Sequence, residues 1–81
     1  MYYVYAISSL YRNYIYVGLT DNIERRISEH NSGRNKTTKP YLPFSLIHFE
    51  EYTTRTEARE KEKYYKSGIG KEKLKKIKRN I

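Results

Sequence analysis

Residues 2–20 read YYVYAISSLYRNYIYVGLT, and they hold six of the chain's ten tyrosines. Segments 2–8 (YYVYAIS) and 14–20 (YIYVGLT) are rich in Tyr, Val and Ile, side chains that fit a pleated, half-buried surface. They flank a short polar bend, Leu10-Tyr11-Arg12-Asn13, so the pattern predicts a β-hairpin. Its register is open. With the bend centred between Leu10 and Tyr11, Tyr5 lies opposite Tyr16 and both rings leave one face; centred on Arg12, the rings point to opposite faces. Gly18, two residues past Tyr16, leaves a gap where a backbone or ligand can approach closely.

Working outward, Asp21 offers a helix N-cap with Glu24 as its capping-box partner. That helix should run to about Asn31 and stop at Gly33, with a short apolar stripe of Ile23 and Ile27. Residues 31–43 (NSGRNKTTKPYLP) are polar, basic and broken by two prolines, which predicts a loop. Residues 44–52 (FSLIHFEEY) read as a third strand, with Leu46 or Ile47 facing inward together with Phe49. Thr54 and Glu57 form another capping box, opening a helix that ends near Ser67-Gly68. From Lys71, Leu74, Ile77 and Ile81 recur at helical spacing among lysines. With no repeat and no linker, the reading is one α+β domain spanning residues 1–81. It is a small antiparallel three-stranded sheet packed with helices, in the order β-β-α-β-α-α.

Composition narrows the partners. The 17 Lys and Arg against 9 Asp and Glu give a net charge of +8, and residues 61–81 carry nine basic and two acidic side chains. Such an asymmetry favours a polyanionic partner, most commonly nucleic acid, although a solvated basic helix would look the same. There is no cysteine, which excludes a disulfide framework, a disulfide-linked partner and a thiolate metal site. No window is long and apolar enough for a membrane span, and the amino terminus lacks a signal-peptide pattern, so the expected compartment is cytoplasmic.

Two helices place polar residues where a core is expected. Arg26 and His30 share a face as an i, i+4 pair, next to the residues that dock their helix. Ala58, Glu62 and Tyr65 form the one plausible buried stripe of the second long helix, so an acid falls among core positions. Each has an ordinary alternative: a surface arginine, a histidine on helix-end carbonyls, and an ion pair from Glu62 to Lys66. Together they suit phosphodiester chemistry, which asks for a cation for phosphate, a base, and a ligand for a divalent metal.

These residues resemble the GIY-YIG nuclease domain over almost the whole chain. Tyr3-Val4-Tyr5 and Tyr16-Val17-Gly18 match the family's two tyrosine-containing tripeptides, Tyr3 standing where the first usually has glycine. Arg26 in NIERRISEHNSG matches the family's essential arginine, His30 a histidine one turn later, and Glu62 in TEAREKEKYYKSG its metal-binding glutamate. The resemblance implies a metal-dependent endonuclease acting on DNA, with Glu62 as the single carboxylate on Mg²⁺ or Mn²⁺ and Arg26 on the phosphate. It implies Tyr5 as general base and Tyr16 as the group orienting water or phosphate.

Free tyrosine titrates near about 10, so His30, with an ordinary value near about 6.5, is the rival base. Arg25, Arg34, Lys36, Lys39, Lys66 and the carboxy-terminal lysines would track phosphates. Many family members carry a separate DNA-recognition domain, for which 81 residues leave no room. Recognition of shape or ends is therefore expected over recognition of sequence. Two other readings stay open: a nucleic-acid-binding module of the same fold without significant activity, and a basic accessory protein on RNA whose tyrosines stack on unpaired bases.

Overall fold

The computed structural model describes residues 1–80, so the expected helical position of Ile81 lies outside the described residues. The hairpin forms as β1 (Tyr2–Ser9) and β2 (Ile15–Thr20), followed by helix α1 (Ile23–Asn31). A single 3-10 turn at Lys39–Tyr41 precedes β3 (Phe44–Tyr52), and helices α2 (Arg55–Lys66) and α3 (Gly68–Arg79) complete the described chain. The sheet is antiparallel in the order β2-β1-β3, as expected.

Because β1 is central, both of its faces are covered and Val4–Ser9 are all buried. Val4 and Ala6 face one way, into a core with Ile15, Val17, Ala58, Tyr65 and Leu74, which brings in α2 and α3. Tyr5 and Ile7 face the other way, with Phe44 and the flanking Tyr14, Tyr16, Ile27, Tyr41 and Leu42, which brings in α1 and the loop before β3. The stripe Ala58, Glu62 and Tyr65 is buried as its spacing requires.

Neither expected hairpin register occurs. Tyr5 pairs with Gly18 and Ile7 with Tyr16, so the bend is centred between Tyr11 and Arg12. Tyr5 and Tyr16 still share a face, as diagonal neighbours rather than opposite ones. The gap at Gly18 is filled from within, since a Cβ there would run into the Tyr5 hydroxyl and ring.

Three local expectations are corrected. Asn22, not Asp21, caps α1: its side chain accepts from the Arg25 amide at 3.0 Å, while Asp21 pairs with the Arg25 guanidinium at 2.6 Å. Gly33, at φ +80°, ends the turn as its freedom allows. The last helix begins at Gly68 rather than Lys71, because Ser67 serves as its cap, its hydroxyl accepting from the Gly70 amide at 3.4 Å. On β3 the inward residue is Ile47, whereas Phe49 is 52% exposed. A register irregularity against β1 causes this: Ala6 pairs with His48 but Ile7 with Leu46, leaving Ile47 as an extra residue that turns into the α2/α3 core. Phe49 pairs with Tyr5 and so lies on the α1 side, near the open groove between α1 and β3 that Tyr3, Ile23 and Leu46 also line.

Candidate active site

Strand β1 aims Tyr5 at the α1 face, and the last turn of α1 brings His30 against it. The Tyr5 hydroxyl lies 2.8 Å from His30 Nε2, and His30 Nδ1 lies 2.9 Å from Thr38 Oγ1. All three side chains are sealed, at 1%, 0% and 0% exposure respectively. The Thr38 hydroxyl reaches the Asn35 carbonyl at 3.5 Å, which favours a proton on His30 Nδ1 donated to Thr38. Nε2 is then the acceptor for the Tyr5 hydroxyl. Thr38 is the partner that sequence reasoning missed, and no local pattern marks it, since it reaches His30 across eight residues of irregular loop.

The electrostatics follow from burial. Loss of solvent pushes the Tyr5 hydroxyl up to about 12, with Tyr16 and Glu62 adding to the rise and the Arg26 guanidinium beside it pulling the other way. Burial also lowers the His30 imidazole, and Arg26 lowers it further against Glu29. Holding Tyr5 at about 12 against an ordinary 10 corresponds to about 3 kcal/mol against the tyrosinate. Tyr5 therefore keeps its proton in this setting, which leaves its hydroxyl available as a donor. Its oxygen faces Arg26, whose charged form it favours in turn.

Tyr16 sits differently. It is only half-buried, with its ring centroid 4.8 Å from His30 and 6.3 Å from Tyr5. Arg26, also half-buried, lies 3.9 Å from Glu29 and borders a cleft of about 400 Å³. Arg25 and Arg55 line the same cleft. Arg55, at the start of α2, is a second residue the sequence gave no reason to single out.

Tyr5, Tyr16, Arg26 and His30 thus come together on one face. Glu62 approaches from α2, near enough for its charge to raise Tyr5, and its own ion pairs are with Arg59 at 3.4 Å and Lys66 at 3.3 Å. The Lys66 pairing expected as the ordinary alternative therefore forms, beside the electrostatic reach to Tyr5. Among the described residues no three acidic or imidazole side chains gather as a metal cage. Of the residues expected to track phosphate, Arg34, Lys36 and Lys39 are exposed on the loop. Arg25 is also exposed but engaged with Asp21 and, at 3.8 Å, with Glu29.

A second polar cluster lies on the α2/α3 side. Glu50 accepts hydrogen bonds from His48 at 2.8 Å and from the hydroxyls of Tyr52 and Tyr65. Burial would raise its carboxyl, but these three donors and the charge of Lys61 hold it at about 2. The neighbouring Glu51 acts on Tyr3 instead, as strand alternation requires.

Two tyrosines on adjacent antiparallel strands, an arginine and a histidine on the following helix, and a glutamate on a later helix thus sit on an α+β domain of the order β-β-α-β-α-α. Comparison with family models matches residues 1–77 to the GIY-YIG catalytic domain, and the chain belongs to that family. Similar curated proteins include a UPF0213 protein of Staphylococcus haemolyticus, 37% identical over 76 residues that cover 93% of this chain and 92% of that protein. Another, from Haloquadratum walsbyi, is 43% identical over 54 residues, covering 65% of this chain and 61% of its own length. A third, from Listeria welshimeri, is 46% identical over 55 residues, covering 67% of this chain and likewise 61% of its own. The solution NMR structure of a UPF0213 protein from Bacillus halodurans is 33% identical, with a TM-score of 0.55, covering 96% of this chain and 86% of that one. No helix among the described residues is long and apolar enough to cross a membrane.

Proposed function

We propose that this protein is a metal-dependent endonuclease that hydrolyses DNA phosphodiester bonds, selecting structure or ends rather than sequence. The observation that carries this is the buried run from Tyr5 through His30 to Thr38, lying beside the half-buried Arg26 and Tyr16. In this run Tyr5 donates to His30 Nε2 and His30 Nδ1 donates to Thr38, while the Arg26 charge acts on the Tyr5 hydroxyl from beside it. Each donor polarises the next, and a guanidinium held this way faces developing charge on phosphate with little reorganisation. Tyr5 is then a positioning residue. Tyr16, the more accessible hydroxyl, contacts the attacking water, and His30 holds the Tyr5 proton in place.

Glu62 supplies one hard oxygen donor, which suits Mg²⁺ or Mn²⁺ bound jointly with substrate phosphate rather than by a protein cage. The cation would supply charge stabilisation at the phosphate. Arg59 and Lys66 compete for the same carboxylate, which favours weak metal binding without substrate and keeps the inactive-module reading as the alternative. Nucleic acid as partner accords with the family and with the net charge of +8.

The test compares wild type, Tyr16→Phe and Arg26→Lys on branched, nicked and single-stranded DNA with Mg²⁺ or Mn²⁺. Cleavage should fall by about 100-fold or more in both variants, with binding kept within a few-fold. Cleavage by either variant at the wild-type rate would refute the assignment. Binding by wild type with no product under any condition would favour the inactive module.

A further inference from the structure

The bend of the hairpin is the most exposed aromatic feature of the molecule and takes no part in the site above. Tyr11 is 82% exposed and Leu10 56%, with Arg12 and Asn13 also at the surface. An apolar tip of this kind is ordinarily a liability, yet this one is firmly braced. The Ser9 amide donates to the Tyr14 carbonyl and the Leu10 amide to the Pro43 carbonyl, each at 3.0 Å. Ser9 Oγ donates to the Tyr41 carbonyl at 2.6 Å while accepting from the Arg12 amide at 3.1 Å. Behind the tip, Tyr14 and Tyr41 stack at 3.9 Å with their planes 9° apart.

Helix α3 adds charge beside this tip. Lys71 donates to the Ile15 carbonyl at 2.8 Å, tying the helix to the start of β2. One and two turns later on the same helical face come Lys75 and Lys78. Together with Arg79, Glu72 and Asn13 of the bend, these lysines line a cleft of about 470 Å³. An exposed ring on a braced bend thus stands two residues from Asn13, which lines this cationic groove. That pairing matches single-stranded nucleic acid, whose bases stack on aromatic faces while its phosphates meet cations.

We propose that the hairpin tip is a stacking post for an unpaired base, with Tyr11 and Leu10 receiving the base and Arg12, Lys75, Lys78 and Arg79 holding the adjacent phosphates. The preferred substrate then carries an unpaired arm. The inference rests on the reading that the chain engages nucleic acid, and it does not require cleavage.

The experiment is fluorescence anisotropy with the full chain in EDTA, on a forked DNA and a fully paired duplex of equal length. Tyr11→Ala should weaken fork binding by about 5- to 150-fold and duplex binding by less than about twofold. Tyr11→Phe should keep wild-type fork affinity. Replacing both Lys75 and Lys78 by Ala should flatten the salt dependence on single strands by about 1.4 in log–log slope. Tyr11→Trp gives the chain its only tryptophan, whose emission should change on adding an unpaired arm but not on adding paired duplex. The same forks in RNA identify the source of the arm, a larger Tyr11-dependent loss marking the preferred strand.

Unchanged fork binding by Tyr11→Ala, or equal losses on fork and duplex, would overturn the proposal. So would a silent Tyr11→Trp. Fork binding that depends on Tyr11 without any cleavage in Mg²⁺ would overturn the nuclease reading alone. Cleavage with fork binding indifferent to Tyr11 would overturn this inference alone.

Discussion

Replacing Tyr5 by Phe removes one oxygen and keeps the ring, so packing against Gly18 and Ile7 is preserved. What is lost is the donor to the buried His30 Nε2 at 2.8 Å and the oxygen beside the half-buried Arg26. Leaving one buried acceptor unsatisfied costs about 1–3 kcal/mol. For a domain of this length each kcal/mol shifts Tm by about 4–8 °C, so thermal unfolding followed by circular dichroism at pH 7 should show a drop between about 4 and 24 °C. In a cleavage assay the rate should fall by roughly 10- to 100-fold, the scale of a displaced positioning group. The form of the pH–rate profile should be retained, because Tyr5, held at about 12, does not supply the titrating base. A Tm within 2 °C of wild type would refute the hydrogen-bonded run. A profile that loses a limb in Tyr5→Phe would refute the positioning role and restore Tyr5 as base.

The remaining predictions concern the sheet and its second polar cluster. Gly18→Ala places a methyl group against the buried Tyr5 side chain and should cost about 1–3 kcal/mol, read by urea unfolding; a neutral result would mean that the two strands are farther apart at this pair. Glu50, held at about 2 against an ordinary 4.5, contributes about 3 kcal/mol that is fully present above pH 4.5 and lost as the pH falls toward 2. Glu50→Gln should therefore lower Tm strongly at pH 7, with the gap to wild type closing at pH 2–3; a gap independent of pH would contradict the assignment. His30 has the opposite charge type but the same direction of pH dependence. Its lowered value means the folded state resists protonation, so stability held at neutral pH is lost as the pH falls below about 6.5. His30→Gln should flatten that limb of the Tm–pH curve, and an unchanged limb would exclude His30 as its source.

Much of this fold is legible locally. The two Tyr- and Val-rich segments can bury themselves only as strands, and Arg26 with His30 shares a face by helical geometry alone. The buried stripe of α2 is equally plain, including the acid within it. Errors arise where one residue of slippage matters. Asp21 and Asn22 are both competent caps, and the choice between them depends on Asp21 finding Arg25. The inward face of β3 depends on a register shift opposite Ala6 and Ile7, which no pattern of hydrophobicity announces. In the site, the shared face of Tyr5 and Tyr16 depends on the bend. Their division of labour depends on burial, which sequence does not display: Tyr5 is sealed and Tyr16 is not. Thr38 is illegible for a plainer reason, since it reaches His30 across a loop without periodicity.

The central claim is that this face, together with Glu62, cuts nucleic acid. The measurement that addresses it most directly is single-turnover cleavage of a forked DNA by wild type and Glu62→Gln, each with Mg²⁺ and with EDTA. Glu62→Gln keeps the side chain's shape and removes its charge, and the ion pairs it loses have partners that are half exposed. The account predicts cleavage by wild type that is abolished in EDTA and reduced by about 100-fold or more in Glu62→Gln, with fork binding retained. Cleavage by Glu62→Gln at the wild-type rate, or no cleavage by wild type with either Mg²⁺ or Mn²⁺, would contradict it.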